Sequence, residues 1–133
     1  MKGVVEVSAG LIFREGRLLI TQRHPEAHLG GLWEFPGGKR EAEETDEQCL
    51  ARELREELAV DAAVGELVAD ITHAYPDKTV RLKFFVCRLL AGEPKPVGCA
   101  ALEWTDRAGL AGYEFPAADG QLLDLLQNPR FWK

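Results

Sequence analysis

Glu53, Glu56 and Glu57 fall within the run Arg52-Glu53-Leu54-Arg55-Glu56-Glu57. On a helix, offsets of three and four residues place all three carboxylates on one face. Like charges so placed repel, and a cation relieves them. Mg²⁺, with Mn²⁺ as a substitute, takes carboxylate oxygens and shares them with substrate phosphates. Such a cluster could hold an ion that neutralises phosphate charge and acidifies a water, two of the things that cleaving a phosphoanhydride needs. Crowded carboxylates raise one another's pKa until the metal arrives. Glu53 is therefore expected to serve as both ligand and base, with Glu44 as the alternative base. Arg52 is placed to orient a glutamate by a charged hydrogen bond; the plainer reading is an i, i+4 ion pair with Glu56. Just upstream, Gly38 lets backbone approach a cation, and Lys39 offers a point charge to phosphate.

These groups need a helix, and the sequence supplies its start and its buried stripe. Thr45 followed by Gln48 is a capping-box pattern, and Asp46 and Glu47 suit the positive end of the dipole. Leu50, Leu54 and Leu58 recur every fourth residue and predict packing on a sheet, opposite the acidic face. Strands are predicted at Val4–Phe13 and Leu18–Arg23, separated by the turn Arg14-Glu15-Gly16-Arg17. Two longer ones are predicted at Gly65–His73 and Thr79–Leu90, joined through Tyr75-Pro76-Asp77, with another at Ala101–Thr105. Residues 24–33 read as a loop, Glu34-Phe35-Pro36 as a short extended piece, and Gly37-Gly38 as a flexible turn. A last helix is expected from about Ala118 to Leu126, where Asp119 could act as N-cap. With no repeat or linker, the pattern predicts one α+β domain spanning 1–133.

Net charge is −6, which argues against stable nucleic-acid binding and against anionic membranes, since both need basic surfaces. An anionic nucleotide remains compatible if a metal bridges it to the protein. No apolar run approaches the roughly 20 residues of a membrane span. Glu6 interrupts the start of the chain where a signal peptide needs an apolar stretch. Cys49, Cys87 and Cys99 form no CxxC pair and read as reduced core thiols of a cytoplasmic protein. The expected state is a monomer or dimer.

The run from Gly38 to Val60 resembles the Nudix box. Gly38, Glu44, Arg52, Glu53, Leu54, Glu56, Glu57 and Val60 fall at the box positions, while Ala59 replaces its usual glycine. Resemblance to the MutT-type branch extends through Glu34-Phe35-Pro36-Gly37-Gly38-Lys39, Tyr75-Pro76-Asp77, Gly92-Glu93-Pro94, Glu103-Trp104 and Phe115–Asp119. It implies the Nudix fold, a mixed sheet between helices. It also implies Mg²⁺-dependent hydrolysis of nucleoside triphosphates to monophosphate and pyrophosphate, including removal of 8-oxo-dGTP. By the same resemblance, Arg23 and His28 lie near the phosphates, Phe35 and Tyr75 line the base pocket, and Asp119 reads the base.

Two departures bear on these expectations. Gly98 stands where MutT-like enzymes have a glutamate, and Asp119 where they have an asparagine. An ionised carboxylate only accepts hydrogen bonds, so Asp119 suits 8-oxoguanine when protonated and the cytosine amine when ionised. The branch hydrolysing CTP and 5-methyl-dCTP resembles this chain at Gly31–Phe35, Arg52–Leu58 and Ala118-Asp119. The third alternative is a non-catalytic Nudix-like domain that recognises 8-oxoguanine, as in MutY-type glycosylases. Such domains lack the full acidic set kept here.

Overall fold

Strand β1 (Val4–Arg14) is central to the computed structural model, which describes residues 3–132. Met1 and Lys2, part of the chain start considered above, lie outside the described residues. A tight turn links β1 to β2 (Arg17–Gln22), with Glu15 at φ 53° and Gly16 at φ 76°. Two successive left-handed residues are what a two-residue hairpin with the right twist requires. Along its other edge β1 pairs in parallel with β6 (Thr79–Ala91), from Val4 opposite Thr79 to Ile12 opposite Cys87. Strand β5 (Asp61–Ala74) then pairs antiparallel with β6. It begins earlier than the expected Gly65, because that glycine sits at a bulge inside the strand. A Cβ there would lie 2.9 Å from the Val86 carbonyl oxygen.

Short strands complete the sheet: β3 (Trp33–Glu34) and β7 (Ala101–Thr105) flank β2, and β4 (Gly37–Lys39) lies antiparallel to β1. Gly37 and Gly38 are thus strand residues, not the flexible turn expected. Their lack of side chains serves close approach: a Cβ on Gly37 would lie 2.7 Å from Ala9 Cα.

Helix α1 (Asp46–Leu58) starts at the expected capping box. The Gln48 amide donates to Thr45 Oγ1 at 3.1 Å, and the Thr45 amide to Gln48 Oε1 at 3.0 Å. Cys49, Leu50, Leu54 and Leu58 form its buried stripe. Gly10 lies beneath it, where a Cβ would come within 3.6 Å of Leu54 and 3.7 Å of Leu50. The opposite face of the sheet is covered by a 3₁₀ turn (Ala117–Asp119) and α2 (Gly120–Leu125), the latter shorter than expected. The α+β sandwich read from the sequence is therefore present.

Alternation along β1 and β2 feeds two cores. Leu11, Leu18 and Ile20 join Phe35, Phe84, Leu122 and Leu126 on one face. Ile12 and Leu19 join Leu50, Leu54, Leu58 and Phe85 on the other. All three cysteines are buried and unpaired, as expected of core thiols. No helix among the described residues is long and apolar enough to cross a membrane.

Candidate active site

The parallel β1–β6 register sets Val5, Val7 and Ala9 beside Val80, Leu82 and Phe84. These six side chains floor a cleft of about 340 Å³, within the range of small-molecule sites. Arg23 and His28 border it from the chain after β2, Gly38 and Lys39 from β4, Glu53 and Glu57 from α1. Phe35, Tyr75 and Asp119 border it from the remaining sides. Glu44, Arg52 and Glu56 do not line it; they form an ion network beside it.

Glu57 is pushed up to about 8, chiefly by burial and then by the charges of Glu34 and Glu53. A hydrogen bond from the Gly37 amide opposes this only in part. Burial also raises Glu53, with Arg52 pulling the other way and Glu56 pushing it further up. Gly38 lets the Glu53 carboxylate lie against the backbone; a Cβ there would run into that carboxylate and displace it. The Gly38 carbonyl accepts the Cys49 thiol at 3.5 Å.

Arg52 is the hub of the neighbouring network. It donates to Glu44 Oε1 at 3.0 Å, Glu56 Oε2 at 3.0 Å, Glu53 Oε2 at 3.4 Å and the Lys39 carbonyl at 3.3 Å. Arg52 pairs with Glu56, as the plainer reading expects, and also hydrogen-bonds Glu44 and Glu53. The Arg52 hydrogen bond, helped by the Glu41 amide, holds Glu44 down at about 2. A carboxylate so stabilised is a poor proton acceptor near neutral pH.

The three motif glutamates do not converge as their spacing suggests. Glu53 and Glu57 face the cleft, whereas the Glu56 side chain is 54% exposed and held by Arg52. Among the described residues, no three His, Cys, Asp or Glu side chains stand close enough to hold a metal together. The donors nonetheless fit a hard divalent cation. Two carboxylates whose charged forms are disfavoured by burial and mutual repulsion share a cleft wall with side-chain-free backbone.

Phe35 is almost wholly buried, stacked on Phe115 at 5.1 Å and edge-on to Phe84 at 5.9 Å. Tyr75 crosses from the β5–β6 turn, where its hydroxyl accepts the Ala118 amide at 3.3 Å. His28 and His73 meet its ring edge-on. Asp119 makes no capping bond; its backbone is helical (φ −88°, ψ −2°), so the N-cap expectation fails. Its carboxyl, 5% exposed, is pushed up to about 7 by burial and then by Glu34.

Glu34 is the cleft residue that sequence reasoning missed. Arg23 binds it at 3.1 Å and donates through Nε to the His28 carbonyl at 2.7 Å. Glu34 is itself raised by burial, opposed by Arg23, and its charge acts on both Glu57 and Asp119. The available signal was an arginine and a glutamate near opposite positions of paired strands. Lys78, beside the Tyr75 turn, is a second unpredicted lining residue.

The comparisons match this geometry. The NUDIX domain family pattern covers residues 8–125. An 8-oxo-dGTP diphosphatase of Proteus vulgaris is 42% identical over 86 residues, 64% of this chain and 77% of that protein. The CTP pyrophosphohydrolase of Escherichia coli is 36% identical over 121 residues, 91% of this chain and 90% of its own. The solution structure of the E. coli ORF135 protein superposes with a TM-score of 0.82 at 34% identity, covering 97% of this chain and 92% of that one. A complete acidic box on a capped helix, set over a mixed sheet and matched along nearly the whole chain, establishes that the chain belongs to the Nudix hydrolase family.

Proposed function

We propose that the protein hydrolyses a nucleoside triphosphate to monophosphate and pyrophosphate with Mg²⁺, and that its main substrate is 8-oxo-dGTP. The observation that carries this reading is a single cleft lined both by the acids Glu53 and Glu57 and by Phe35, Tyr75 and Asp119. Such a cleft suits a ligand with a phosphate chain and a flat base.

Glu53, Glu57 and the Gly38 backbone would hold the cation, with Glu56 joining from Arg52. A bound Mg²⁺ neutralises phosphate charge and lowers the pKa of a water. Glu53 accepts the proton of the attacking water. Arg52 fixes the direction of the glutamates through its fork of hydrogen bonds. Lys39 and Arg23, which line the cleft with His28, balance phosphate charge. The Phe35 ring edge and Tyr75 offer apolar surface to the base. Asp119, carrying a proton, donates to the oxidised purine and accepts from it, as an amide would. Removal of the damaged nucleotide in the cytoplasm, by a monomer or dimer, completes the reading.

Ionised Asp119 favours a second reading, cytidine triphosphates, in keeping with the similarity to a CTP pyrophosphohydrolase. Relative kcat/KM for 8-oxo-dGTP, dGTP, CTP and 5-methyl-dCTP separates the two. A value for 8-oxo-dGTP no higher than for dGTP rejects the sanitising role. Undiminished turnover by Glu53→Gln would reject the catalytic account and favour a recognition domain.

A further inference from the structure

Gly98 and its neighbours clasp the C-terminal end of α1. The amides of Val97 and Gly98 both donate to the Glu57 carbonyl, each at 3.0 Å, and the Lys95 amide donates to the Leu58 carbonyl at 3.0 Å. These carbonyls belong to the last turn of α1, which has no partners of its own within the helix. The segment is anchored on both sides. Upstream, Gly92 adopts φ +90° against the Ala59 carbonyl, where a Cβ would lie 2.8 Å from the oxygen. Downstream, Cys99 is buried beneath α1 and the Ala100 amide donates to the Gln22 carbonyl at 2.8 Å.

A side chain at position 98 would be tight against Glu57. A Cβ would stand 3.2 Å from Glu57 Cα and 3.3 Å from its Cγ. The loop or the end of α1 would have to give by a few tenths of an ångström, and the Glu57 side chain is rooted at that contact.

We propose that residues 95–98 form a backbone brace that aims Glu57 into the cleft, and that Gly98 is a positioning residue for the cation site. The proposal rests on the Mg²⁺ reading above. The loop acts on Glu57 through backbone amides, and a larger side chain at 98 would disturb that contact.

Mn²⁺ binding without nucleotide, followed by electron paramagnetic resonance, tests this directly. Gly98→Ala is expected to weaken Mn²⁺ binding about tenfold, the lower range for loss of a group that orients a metal ligand. A fall in Tm with unchanged Mn²⁺ affinity would show a merely structural loop and overturn the proposal. Glu57→Gln is the reference: if it leaves Mn²⁺ affinity intact, the metal reading itself fails; if it alone weakens binding, only the brace fails. Amide hydrogen exchange on the unmodified protein supplies a measurement independent of whether the variant folds. The Val97 and Gly98 amides should exchange as slowly as the α1 interior and slow further with Mn²⁺, because coupling is reciprocal. Exchange at open-loop rates, or no response to Mn²⁺, overturns the brace.

Discussion

Glu57→Gln should make the metal-free protein more stable at alkaline pH while destroying its use of metal. Unfolded, Glu57 ionises near the ordinary 4.5; folded, it keeps its proton up to about 8. Across that window the folded state binds a proton that the unfolded state has released, so stability falls as pH rises. The full shift corresponds to at most about 5 kcal/mol. The side chain is only half-buried, and solvent screening brings the expected loss to about 2 kcal/mol. Asp119, raised from 3.8 to about 7, adds a loss of the same sign in both proteins. Urea unfolding in EDTA at about pH 5.5 and about pH 8.5 measures the difference, which amounts to about 1 M in the wild-type midpoint. The variant should keep only the part owed to the other raised acids. Mg²⁺ at the higher pH should restore the wild type and leave the variant unchanged. Equal pH dependence in the two proteins would refute the reasoning.

Further expectations concern single residues. Ala59 sits at φ 59°, ψ 38°, a conformation that costs a residue with a Cβ roughly 1 kcal/mol. Ala59→Gly should raise Tm by about 4 °C without altering kcat, as read by calorimetry and turnover. Asp119 should make base choice depend on pH: preference for 8-oxo-dGTP over CTP falls as pH rises through about 7, and Asp119→Asn flattens that profile. Pairwise kcat/KM at about pH 6 and about pH 8 decides it. Arg52→Lys keeps the charge but loses the fork that reaches Glu44, Glu53 and Glu56; kcat should drop by at least about tenfold with little change in Tm.

What could be read from the sequence was mostly local. The capping box, the Leu50–Leu54–Leu58 stripe and the Arg14–Arg17 turn depend on neighbours a few residues away, and they stand where expected. Glu53, Glu57, Gly38 and Lys39 are legible from spacing, but Arg23, His28, Phe35, Tyr75 and Asp119 only through resemblance, because no spacing rule unites Arg23 with Asp119. Glu34 escaped because its importance comes from a strand register and from two acids, Glu57 and Asp119, distant in the chain. Gly37 and Gly38 were misread because glycine serves equally for turns and for close strand contact, and only the Ser8–Ala9 backbone distinguishes them. Asp119 was ambiguous in the same way, since an acid before a short helix can cap it or face a cleft.

The two cores on opposite faces of β1 and β2 have a consequence for how such a molecule can diversify. Phe35 and Phe84 at the base end share a core with Leu122 and Leu126, whereas the helix that presents Glu53 and Glu57 rests on Ile12, Leu19 and Phe85. A substitution that reshapes the base pocket can thus be absorbed on its own side of the sheet, leaving the hydrolytic helix seated. Inheritance can then vary which nucleotide enters while the bond-breaking apparatus stays the same, a partition written into the alternating residues of two adjacent strands.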